Sequence, residues 1–142
     1  MIAVLRFAAR GLLAWVFVRA GLDVLRHPEP RARTAGGFID TLRAMVPLVP
    51  EDNVTLVRAN AAVQIGAALL VAIGRGSVAR LGALVLGASL VPTSLGGHPF
   101  WTHTDPASRA QQQIHFDKNL AMLGGLLLFA LQAPDRRRRW RA

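Results

Sequence analysis

The chain has 142 residues, of which 52% are apolar and 18% charged, and its 17 Lys and Arg against 8 Asp and Glu give a formal net charge of +9. That is one domain's length, with an apolar share that points to lipid as the surrounding medium. Its bases sit between Leu, Val and Ala runs without an aromatic stacking platform, which argues against a nucleic-acid partner. Cysteine and tyrosine are absent, so disulfides and thiol chemistry are excluded and any redox role needs a bound cofactor, a quinone or a partner protein.

Residues 2–25 form the first apolar segment, with Arg6 and Arg10 near its start and Arg19 and Asp23, four apart on one helical face, near its end. A bilayer crossing takes about 20 residues of helix, which this segment supplies. A cleaved signal peptide is the competing reading, but no small-x-small cleavage site follows. Pro28, Pro30, Pro47 and Pro50 then interrupt the apolar pattern. Among them Phe38, Ile39, Leu42 and Met45 share a face opposite Asp40, Thr41 and Arg43. This spacing predicts a short amphipathic helix, lying in the membrane interface or capping the bundle ends.

A second span is expected over 53–73, ended by Gly74. It carries Arg58 early and the i, i+4 polar pair Asn60 and Gln64 among small residues such as Ala61, Gly66, Ala67 and Ala68, which suit close helix contact in lipid. The brief turn at Gly74 to Ser77 makes the third span, 78–95, an antiparallel neighbour, with Pro92 near its far end. His98, Trp101 and His103 follow in a loop whose aromatics suit the headgroup zone. The fourth span, 107–132, is introduced by Asp105 as cap and Pro106 in the first turn. On it Gln111, His115, Lys118, Asn119 and Met122 are placed near one stripe by their spacing. Residues 133–142 add a basic tail with Arg136, Arg137, Arg138, Arg139 and Arg141.

The expectation is an all-α membrane protein: a single domain of four transmembrane helices, with the short helix between the first two. Arg6, Arg10, Arg75, Arg80 and the tail arginines then share one side, which the positive-inside rule makes cytoplasmic for both termini. The opposite helix ends carry Arg19, Asp23, Arg58, Asn60, Gln64, Thr93, Ser94, His115, Lys118 and Asn119, predicting a polar cavity in the outer half of the bundle. A buried ion-pair network that only fixes helix register is the competing account. No metal site is assigned, and no catalytic triad, Walker loop or dinucleotide fingerprint is present.

Four stretches carry a family resemblance: GLDVLRHP (21–28), TLVRANAAVQIGAALLVAIGR (55–75), SLVPTSLGGHPFW (89–101) and DPASRAQQQIHFDKNLAMLGGLLL (105–128). Together the chain resembles the DoxX family of small bacterial integral membrane proteins in its actinobacterial form, the last stretch being the most specific. Asp117 departs from the family pattern. The resemblance implies a plasma-membrane protein with a four-helix fold, working with oxidoreductase systems in oxidative-stress or thiosulfate redox homeostasis. It further implies partners such as a superoxide dismutase or a sulfurtransferase, and Asp23, Arg58, Asn60, Gln64, His98, Trp101, His115, Lys118 and Asn119 as motif positions. On this reading the chain anchors a redox complex as a non-catalytic subunit, or binds quinone through His115, Lys118 or Arg58 with the ring on Trp101 or Phe116. The alternative is a carrier of small molecules or lipid through the same cavity. A homo-oligomer is also open.

Overall fold

The computed structural model describes residues 1–132; the basic tail lies outside the described residues. They form α1 (Ile2–Arg26), α2 (Pro28–Met45), α3 (Asn53–Ile73), α4 (Ser77–Gly97), a 3-10 turn (Phe100–Thr102) and α5 (Pro106–Leu131), with no strand among them. Three stretches are long and apolar enough to cross a membrane: Asn53–Ile73, Ser77–Thr102 and Pro106–Leu131. α1 is as long as these, at 25 residues. However, any 18-residue stretch of it holds at least three of Arg6, Arg10, Arg19, Asp23 and Arg26, so composition alone does not make it a span.

Local chemistry sets the helix ends. Asp52 caps α3 by accepting from the N–H groups of Val54 and Thr55 at 3.1 and 2.9 Å, and Asp105 caps α5 by accepting from Ser108 N–H at 2.8 Å. Both occupy donors that the first helical turn leaves without partners. Both carboxyls are held below the ordinary carboxylate range, Asp52 chiefly by the Thr55 hydroxyl and Asp105 chiefly by the Ser108 side chain, each with backbone N–H groups adding. Gly76 turns the chain between α3 and α4 at φ 56, a left-handed conformation that favours glycine.

The helix between the first two long segments is not short: α2 runs for 18 residues. Pro28 and Pro30 fall in its first turn, where a missing N–H removes no helical bond, so they start the helix instead of breaking it. Pro28, Ala32 and Ile39 are buried and Ala35, Phe38 and Leu42 half-buried, an inward stripe that ends before the exposed Met45.

The long helices pack as a row. α1 lies on α3, α3 on α4 and α4 on α5, while α2 covers the end where α3 begins and α4 finishes; no comparable interface joins α5 back to α1. Val71, Leu86 and Leu126 are wholly buried in a core completed by Ala14, Phe17, Ala67, Ala68, Ala83 and Leu90. In lipid such a core is held by close packing and not by expulsion of water, which is why glycines mark the crossings. A Cβ on Gly82 would stand 2.8 Å from Ala67 O, and one on Gly21 2.7 Å from Ile65 Cγ1.

At the end opposite α2, basic side chains cap helix C-termini. Arg10 donates to Val71 O at 2.7 Å and to Gly74 O, and Arg80 donates to Gln132 O. Cations there meet carbonyls that the last helical turn leaves free.

Candidate functional site

Under α2 lies a cavity of about 250 Å³ bounded by α1, α2, α3 and the end of α4. Its walls are apolar: Val24, Phe38, Ile39, Leu42, Leu56 and Val57, with Pro92 and Gly97 from α4. One band of uncharged polar groups crosses it. Thr93 Oγ1 accepts from Asn60 Nδ2 at 3.0 Å and Gln64 Nε2 at 2.9 Å while donating to Ser89 O at 2.8 Å, and Ser89 Oγ donates to Asn60 Oδ1 at 2.5 Å. Gln64, at 6% exposure, is the most deeply placed of these side chains. The i, i+4 offset puts Asn60 and Gln64 on one face of α3, and the matching Ser89 and Thr93 offset supplies partners from α4.

A second polar line joins α4 to α5. Asn119 Nδ2 donates to Ser94 Oγ at 3.0 Å, and Ser94 Oγ donates to Leu90 O at 2.7 Å. Nearer the helix ends, His98 Nδ1 and Gln112 Oε1 are 2.8 Å apart, and the His98 ring stacks on His115 at 5.1 Å between centroids. Trp101, Phe100 and Phe116 form an edge-to-face cluster beside them. None of Trp101, Phe116, His115 and Lys118 lines the α2 cavity.

The structure thus divides the expected polar cavity. Asn60 and Gln64 meet at the α2 cavity, and His98, His115 and Asn119 meet between α4 and α5. The charged candidates stay apart: Arg19, Asp23, Arg58 and Lys118 are all exposed in the chain. Arg19 and Asp23 do not pair; Asp23 lies 3.9 Å from His27 instead. On α5 the inward face runs through Gln112, His115, Asn119, Met122 and Leu126, leaving Gln111 and Lys118 outside it and Asp117 on the far side.

Arg31 is the cavity residue that the sequence did not single out, whereas Thr93 was already expected at this depth. Arg31 was hidden in a proline-rich segment, and only the course of α2 brings it to the cavity.

The family model described as DoxX matches residues 5–103. The match spans α1 to α4 and every wall of the cavity, whereas 105–128 lies outside it. No curated protein and no solved structure matches the chain significantly.

Proposed function

The chain belongs to the DoxX family, and from that premise we propose that it is a four-span membrane subunit of an oxidoreductase complex, holding a quinone or a lipid under α2. The observation that carries the reading is the cavity itself: apolar walls with one band of converging amide and hydroxyl groups. Binding sites for apolar cofactors and lipids are built in that way. With neither Cys nor Tyr in the chain, electron transfer would fall to the bound molecule or to a partner enzyme.

As fourth span we assign α1. Its one deep charge, Arg10, is taken up by the carbonyls ending α3, and Arg19 stands close enough to the α2 end to reach the interface along its own stem. Leu12, Trp15 and Val16 face outward, as lipid contact requires. Both termini then share a side with Arg6, Arg10, Arg75 and Arg80, the cytoplasmic side of a bacterial plasma membrane. The tail would dock a soluble partner such as a superoxide dismutase or a sulfurtransferase.

A carrier role finds less support. Between the cavity and the Gly74 end the bundle is filled by Phe17, Ala68, Val71, Leu86 and Leu126, which leaves no polar route across among the described residues. The test is purification in mild detergent from native membrane, followed by partner identification and quinone extraction. Recovery of a redox enzyme together with quinone or lipid lost on Gln64→Leu is expected. Protein that emerges alone, with a bound-lipid content indifferent to Gln64, would remove the proposal, and solute flux in proteoliposomes would replace it with the carrier.

A further inference from the structure

Arg31 lines the α2 cavity as its charged residue. It sits in the first turn of α2, half-buried, with Nη1 3.7 Å from the position a Cβ on Gly97 would take. Other half-buried arginines have found acceptors: Arg10 holds Val71 O and Gly74 O, and Arg43 holds Asp40, Asn53 and two loop carbonyls. Among the described residues Arg31 has neither an ion-pair partner nor a hydrogen-bonded acceptor. The nearby acids are turned elsewhere. Asp40 bonds Arg43, Asp23 lies beside His27, and Glu29 is exposed. His98, stacked on His115, is the titratable group near Arg31, and neither histidine lines the cavity.

Below this guanidinium the pocket offers no second charge. Val24, Phe38, Leu42 and Leu56 make a greasy wall, and the polar band at its floor is satisfied largely within itself through Thr93. The volume, about 250 Å³, is just under the ~300 Å³ at which drug-sized sites begin, room for part of one hydrocarbon chain.

We propose that the cavity takes an anionic amphiphile, one acyl chain lying under α2 with its acidic head on Arg31. A guanidinium presents paired N–H donors that match carboxylate and phosphate oxygens, and partial burial at the membrane surface strengthens that contact. The proposal rests on the cavity being a ligand site and narrows the ligand from a neutral quinone to an acidic lipid. The same head chemistry is shared by a free fatty acid and by an acidic phospholipid.

The test uses the full chain in neutral detergent, titrated separately with palmitate, phosphatidylglycerol, phosphatidylcholine and decylubiquinone, and read by native mass spectrometry and thermal shift. Palmitate or phosphatidylglycerol is expected to bind and to raise the unfolding temperature, with phosphatidylcholine and decylubiquinone weaker. Arg31→Gln should weaken the acidic ligand about tenfold or more, and Arg31→Lys less. Ala20→Leu and Ala35→Phe, which fill the cavity, should abolish binding. Palmitate alone identifies a fatty acid, phosphatidylglycerol alone a phospholipid, and both a site that reads only the charged head. Equal binding by Arg31→Gln and the unaltered chain, or tighter binding of decylubiquinone that the filled variants lose, overturns the anionic ligand while the cavity stands as a site. If no ligand responds to the filled variants, the cavity reading falls with it.

Discussion

Thr93→Val is the sharpest test of the polar band because one atom serves both amides. Val is close in shape to Thr but offers no oxygen, so the change removes the acceptor for Asn60 at 3.0 Å and for Gln64 at 2.9 Å while leaving the packing nearly as it was. Interhelical hydrogen bonds in membrane bundles average about 0.6 kcal/mol and reach about 1.7, so two of them predict a loss of about 1 to 3 kcal/mol. A dry, ligand-filled cavity would push the loss toward the upper end, since unpaired buried donors cost about 1–3 kcal/mol each. The assay is reversible unfolding in mixed micelles, completed as a double-mutant cycle with Gln64→Leu. In the Gln64→Leu background Thr93→Val should cost less, by about 0.5–1.7 kcal/mol. Additive effects, or a Thr93→Val protein as stable as the original, would show that the band does not hold α3 to α4.

Gly82→Ala should destabilise by about 1–3 kcal/mol, because its Cβ would meet backbone atoms of α3 at 2.8 and 3.1 Å; Gly66→Ala, where nothing lies within 4 Å, should stay within about 0.5 kcal/mol in the same micelle assay. The capping carboxylates set an acid limb. Asp52 and Asp105 have folded values below their ordinary range, so their contribution is complete above the ordinary range and disappears as pH falls through the lowered values. Thermal unfolding of Asp52→Asn, which keeps a cap without a titrating group, should therefore fall less steeply than the original as pH drops below the ordinary carboxylate range; parallel curves would refute this. Because the chain has no cysteine, single Ala3→Cys, Thr34→Cys and Ser77→Cys variants report topology directly. A membrane-impermeant maleimide should label positions 3 and 77 from one side and 34 from the other, and shared sidedness of 3 and 34 would withdraw α1 as a span.

What the sequence made legible was depth. Asp105 and Pro106 announced the start of a helix, and alternation of direction put Asn60, Gln64, Thr93 and Asn119 at one level. Azimuth was harder. Gln111 and Lys118 flank the inward line of α5, and an error of a quarter-turn in choosing the face moves a lysine from core to exterior. Composition likewise favoured gathering the opposite charges of Asp23, Arg58 and Lys118, whereas the buried polar side chains among the described residues are the neutral Gln64, Ser89, Ser94 and Asn119, whose desolvation is cheaper. The length of α2 escaped notice because prolines that open a helix look like prolines that end one until the turn they occupy is known.

The clasp between Arg10 and the last carbonyls of α3 ties the opening of the chain to a segment made 61 residues later. Until Val71 and Gly74 have been made, Arg10 lacks the carbonyls it holds in the folded chain, so on the proposal that α1 spans, the helix reaches its final depth only as a pair with α3. A ribosome-bound chain halted before Val71 should then hold α1 shallow, and one extended past Gly74 should draw it in, which would make the first step of biogenesis a two-helix event.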